Sequence, residues 1–103
     1  MRLIRVLALA LCCAAPALAA GDAAALRSAA LAASCANCHG TQGKAPERAP
    51  IPGLAGLPRD YLVEQMVAFR DGKRAATVMQ QIAKGYSDAQ LAQLADYFAA
   101  QPR

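Results

Sequence analysis

Residues 34–40 read Ser34-Cys35-Ala36-Asn37-Cys38-His39-Gly40, which places two cysteines and the only histidine of the chain within five positions. A closed zinc site takes four protein ligands. Once the leader argued below is set aside, the chain offers two cysteines and one histidine and is one ligand short. A redox dithiol puts Cys-x-x-Cys at a helix start inside an α/β pattern, and no window here alternates as a strand does. A plain disulfide stays open on the cysteines alone, yet it leaves His39 without a role. Cys-x-x-Cys-His satisfies all three side chains at once as a haem attachment pattern. Two intervening residues let both sulfurs reach the vinyl groups on one porphyrin edge, and the adjacent imidazole serves as proximal iron ligand. Cys35 and Cys38 are therefore candidate thioether residues and His39 a candidate axial ligand of one covalent haem c.

The twenty residues at the start, MRLIRVLALALCCAAPALAA, decide how many cysteines count. Arg2 and Arg5 form a positive start, Val6 to Ala15 an apolar run, and Ala17-Leu18-Ala19 a small-x-small cleavage site. The pattern predicts a secretory signal peptide over residues 1–19, followed by a single domain over 20–103. An uncleaved anchor would need about 18 to 20 unbroken apolar residues, and Pro16 interrupts the run. A lipoprotein reading lacks the small residue expected before Cys12 or Cys13. Export implies an oxidising compartment, the periplasm of a bacterial-looking chain, where an unprotected cysteine pair oxidises.

Loss of Arg2 and Arg5 leaves nine Lys and Arg against seven Asp and Glu, a net charge of +2. That balance gives no support to nucleic-acid binding, and no membrane association is expected after cleavage. The mature chain of 84 residues (103 less 19) has no Trp and is rich in alanine. Alanine buries little area, so a core of this size calls for a staple or a large buried cofactor.

Around the motif the chain reads as helices and loops. Asp22 is placed to cap a helix over residues 22–34, DAAALRSAALAAS. Gly40, Gly43, Gly53 and Gly56, with Pro46, Pro50, Pro52 and Pro58, predict an ordered loop over 40–58. A second helix is expected from Arg59 to a stop at Gly72, with Leu62, Met66 and Phe69 on one face. Residues 73–86 read as irregular. Ser87 with Gln90 forms a capping box for a third helix, in which Leu91, Leu94, Ala95 and Phe98 recur on one side. The expected fold class is all-α, three main helices wrapped around one haem.

With one histidine, a second axial imidazole cannot come from this chain. The sixth ligand is then Met, Lys, another group or nothing. Met66 falls in the apolar stripe of the second helix and reads as a core side chain. Met79, in the stretch taken as irregular and forty residues beyond His39, is the candidate sixth ligand. His/Met ligation closes both axial positions and suits electron transfer rather than catalysis. An open sixth position would instead make a haem enzyme or gas sensor.

With these residues in place, the chain resembles a class I cytochrome c from about residue 22 to 101. The resemblance rests on HGTQG at 39–43, PGLAG at 52–56, YLVEQMVAFRDGKR at 61–74 and LAQLADYFAAQ at 91–101. It implies that the Pro52 carbonyl in Pro52-Gly53-Leu54 orients the proximal imidazole, and that Tyr97 and Phe98 pack the last helix on the first. TVMQQIAKGYS at 77–87 is similar to the methionine loop of the cytochrome subunit of flavocytochrome c sulfide dehydrogenase, although Gln81 stands where a basic residue is expected. This narrower likeness implies sulfide oxidation with a flavoprotein subunit as redox partner. A free soluble cytochrome serving an oxidase or photosynthetic chain shares the other blocks. Arg70, Lys73, Arg74 and Lys84 flank the expected methionine face, as a basic rim for an acidic partner or as plain solvated surface.

Overall fold

A computed structural model describes residues 16–103, with side chains described from Gly21 onward. The expected leader up to Ala15, including Arg2, Arg5, Cys12 and Cys13, lies outside the described residues. Five helices follow in order: α1 (Pro16–Ala33), α2 (Ala36–His39), α3 (Arg59–Arg70), α4 (Met79–Lys84) and α5 (Asp88–Ala99), with a 3₁₀ turn at Thr41–Gly43. Among the described residues there is no strand. The three long helices are those the sequence predicts, and α2 and α4 are additions.

Helix α1 corrects the expected cap. Asp22 lies inside the helix, six residues beyond Pro16. Alanine has the highest helix propensity and proline is tolerated in a first turn, so nothing between Pro16 and Gly21 forces a start at Asp22. The helix runs through the expected cleavage point, and a cut after Ala19 leaves Ala20–Ala33 of it.

Helix α3 ends where its glycine predicts. Gly72 takes φ +72, the Lys73 N–H donates to the Ala68 carbonyl at 2.8 Å and the Gly72 N–H to that of Phe69 at 3.1 Å. This pair of bonds is a Schellman motif, and a left-handed residue at its turn favours glycine. The Arg74 N–H also returns to the Ala68 carbonyl, at 3.1 Å, so the chain folds back along α3.

Helix α4 corrects the reading of 73–86 as irregular, and Met79 is its first residue. Six residues are too few to be helical alone, and one and a half turns show little periodicity in sequence. The packing of α4 on α3, with Ala83 fully buried at 0% exposure, supplies what local propensity does not. At α5 both halves of the capping box form: the Gln90 N–H donates to Ser87 Oγ at 3.2 Å and the Ser87 N–H to Gln90 Oε1 at 2.9 Å.

Ala32 of α1, Leu62 of α3, and Leu94, Ala95 and Phe98 of α5 form one buried cluster, with Tyr97 packed beside it. Phe98 of the last helix and Ala32 of the first share this cluster, and the Tyr97 and Phe98 rings, both on α5, lie 5.1 Å apart edge to face. Arg59 at the start of α3 donates to Asp96 on α5 at 2.7 Å and to Asp60 at 3.0 Å, bridging the two helices at the surface.

Candidate haem site

The Cys-x-x-Cys-His stretch is helical where it must be. Cys35 precedes α2, the His39 N–H donates to the Cys35 carbonyl at 2.9 Å, and i, i+3 and i+4 spacing puts Cys35, Cys38 and His39 on one face of the turn. Gly40 then takes φ +84, and a Cβ there would collide with the Lys44 carbonyl. The sharp exit lets the chain leave without covering the face that carries the two sulfurs.

The following loop comes back to meet the imidazole. Leu54 and Ala55 N–H groups both donate to the Gly43 carbonyl, at 2.8 and 3.1 Å, which holds Pro52-Gly53-Leu54 in place. Pro52 O lies 2.6 Å from His39 Nδ1. A carbonyl oxygen can only accept, so Nδ1 carries the proton and Nε2 keeps its lone pair for a metal.

Cys35, Cys38, His39, Pro52, Met66 and Met79 all line one cavity of about 1090 Å³. That lies just above the ~300 to 1000 Å³ of ordinary small-molecule sites. Its floor is the buried face of α5, with Leu91, Leu94, Ala95 and Phe98. Its rim leaves Ile51, Tyr61, Val78 and Ile82 exposed at 37%, 44%, 52% and 40%. Leu26 is the one other exposed large hydrophobic among the described residues, and it does not line the cavity. A void that protein side chains surround but do not fill suits a large, flat, apolar group, with thiols at one edge and an imidazole at one face. The residues fit haem.

The competing chemistries fit less well. Among the described residues no three His, Cys, Asp or Glu side chains gather as a metal cluster would require. Burial pushes the Cys35 thiol above its ordinary pKa, outweighing an opposing hydrogen bond from Ser34. A redox dithiol needs the opposite shift, toward thiolate.

Two sequence readings change here. Met66 faces the cavity instead of a protein core, so both methionines of the described chain border it. The four basic residues read as a rim or as plain solvated surface are not equivalent. Arg70 donates to Asp88 at 2.5 Å and lies 3.6 Å from Asp71, and these bonds hold its guanidinium pKa above the ordinary value, Asp88 contributing most. Arg74 lies against Phe69 and lines the cavity. The Gly72 stop was the available clue, because the fold-back it creates carries Arg74 along α3. Sequence reasoning also missed the hydrogen bond between Ser34 Oγ and Tyr86 Oη, 3.2 Å, which ties the end of α1 to the segment after α4.

Comparison with known proteins agrees with this geometry. Residues 22–98 match the family model described as cytochrome c oxidase, cbb3-type, subunit III. The chain is 47% identical over 68 residues to the thiosulfate dehydrogenase electron acceptor of Thiomonas intermedia, covering 66% of this chain and 31% of that protein. It is 38% identical over 68 residues to the cytochrome subunit of sulfide dehydrogenase of Chlorobaculum tepidum, covering 66% of this chain and 60% of that one. The solved structure of cytochrome c4 from Acidithiobacillus ferrooxidans superimposes with a TM-score of 0.61 at 37% identity, over 65% of this chain and 38% of the other. The chain thus spans between about a third and three fifths of the length of these relatives. Taken with the all-helical fold around the cavity, these matches establish that the chain belongs to the class I c-type cytochromes, a family of electron carriers with covalently bound haem c.

Proposed function

We propose that this chain is a periplasmic single-haem electron carrier, held by Cys35 and Cys38 and ligated by His39 and Met79. The observation that carries the reading is the meeting of these four side chains in one cavity, with the His39 ring fixed on Pro52. Bound haem supplies a one-electron iron couple. The chain's part is to fix the imidazole tautomer, present a thioether, and exclude water with the floor of α5. Met79 is preferred to Met66 because it opens a short helix on the cavity rim, between Val78 and Ile82, both exposed. Met66 stands within α3 on the same stripe as Leu62 and Phe69 and serves as wall. A thioether ligand raises the potential and leaves no open coordination position, which suits transfer and disfavours oxygen chemistry.

Periplasmic placement follows from the leader reading, and among the described residues no helix is long and apolar enough to cross a membrane. Similarity to an acceptor for thiosulfate dehydrogenase and to a subunit of sulfide dehydrogenase supports a donor that oxidises reduced sulfur, and the resemblance of residues 77–87 makes that donor a flavoprotein subunit in the sulfide case. A free carrier serving an oxidase is the second reading, favoured by the family model's oxidase origin.

Optical spectroscopy of periplasmic protein tests the ligand set. The oxidised wild type should show the weak near-infrared band of thioether sulfur on ferric haem, and Met66→Ala should keep it. Met79→Ala should lose the band and bind carbon monoxide when reduced. The reverse pattern would assign the ligand to Met66. Co-purification with a flavin-containing subunit separates the sulfide reading from the free carrier.

A further inference from the structure

Of the Lys, Arg, Asp and Glu side chains among the described residues, Arg74 alone lines the haem cavity. Its guanidinium carbon lies 4.6 Å from the Phe69 ring centroid, and one N–H donates to Gln65 Oε1 at 2.5 Å. The backbone behind it is pinned to Ala68. Arg59 and Arg70 each pair with two carboxylates, whereas Arg74 has no carboxylate within ion-pair distance among the described residues. A guanidinium carries five N–H donors in a fork that matches a carboxylate, and here most of them are left over.

A haem brings two carboxylates on one edge into a cavity whose lining is mostly apolar. We propose that Arg74 is the counter-ion of a haem carboxylate, pre-oriented by Phe69 and Gln65, and that it raises the reduction potential. The inference rests on the haem reading above. A fixed positive charge near the iron favours the ferrous state, which carries one positive charge fewer. It also removes Arg74 from any partner-facing rim, and with Arg70 held by Asp88, only Lys73 and Lys84 of the four basic residues are left for one.

Redox titration of the periplasmic holoprotein tests the assignment. In Arg74→Gln the ferric-to-ferrous ratio at a fixed applied potential should rise about twofold to fivefold, the range for a partly exposed charge pair, or ~20 to 40 mV at 59 mV per decade. Arg74→Lys should stay nearer to wild type. Lys84→Gln, which removes a cation outside the cavity lining, should move the potential less than half as far. An unmoved potential in Arg74→Gln, or an equal shift in Lys84→Gln, overturns the proposal. If Arg74→Gln yields no holoprotein, Arg74→Lys and Arg74→Met decide: haem retained by the lysine variant alone supports the charge, and equal loss in both overturns it. A pyridine haemochrome assay on the same wild-type preparation keeps the two readings apart, since absent haem defeats the cofactor and present haem with an unmoved potential defeats only Arg74.

Discussion

On one side of α5 the protein closes on itself: Ala32, Leu62, Leu94, Ala95 and Phe98 from three helices are 3%, 7%, 4%, 3% and 4% exposed. On the side facing the 50–54 loop and α4, apolar side chains of similar size stand apart, with Ile51, Val78 and Ile82 exposed around the cavity. Leu94, Ala95 and Phe98 of α5 and Leu62 of α3 belong to both sides, so these two helices carry the protein's own core and also wall the cofactor site. The difference shows where an alanine-rich chain reaches its limit. It has enough large side chains to join the three long helices, and leaves the space between α4 and the loop for a haem to fill.

The strongest way to break this comparison is to remove the attachment points. The double variant Cys35→Ser, Cys38→Ser should yield no covalent holoprotein, and circular dichroism should show a large loss of helix, because the open side has no substitute filler. A variant that keeps native helix content without haem would mean that the closed cluster suffices by itself. Phe98→Ala comes next and strikes both sides together. Truncating a buried phenylalanine costs about 3 to 5 kcal/mol, read as a fall in denaturation midpoint, and here it should also perturb the haem spectrum. The truncation also removes the partner that approaches Gly43, where an added Cβ would lie 2.8 Å from the Phe98 ring.

What the sequence discloses follows the same division. Cys35, Cys38 and His39 are legible because the chemistry demands adjacent positions, and the α5 face is legible because Leu91, Leu94, Ala95 and Phe98 recur at helical spacing. The ends at Gly72 and Ser87 are legible because local hydrogen bonds define them. Helix α4 is hidden because its stability comes from packing on α3 and not from its own six residues. Asp22 misleads because a good capping residue is also tolerated inside a long alanine-rich helix. Met66 and Arg74 are misread for one reason: a stripe or a charge seen in sequence does not tell whether protein, solvent or cofactor lies opposite it.

The closed side can be sharpened at its helix start. Ser87→Ala removes the acceptor for the Gln90 N–H while leaving the α5 face intact, and should cost about 0.5 to 2 kcal/mol. The loss should appear in chemical denaturation of the holoprotein, with the potential unchanged, since Ser87 does not line the cavity. A shift in potential as large as the shift in stability would show that α5 does not move as a rigid floor.

The smallest effect lies in the loop on the open side. Arg48 takes φ +61 in a turn closed by the Ala49 N–H on the Pro46 carbonyl at 3.1 Å. A non-glycine residue pays about 1 to 2 kcal/mol for the left-handed region, whereas glycine enters it freely but loses more chain entropy on folding, about 0.4 to 1 kcal/mol. The first quantity is the larger, so Arg48→Gly should stabilise the holoprotein by about 0.5 kcal/mol in a denaturant titration. Arg48 does not itself line the cavity, and the ligand-field band should therefore stay in place. Destabilisation by the glycine would mean that the turn is held by the arginine side chain instead of strained by its backbone, and that the open side carries a polar tether in addition to its cofactor.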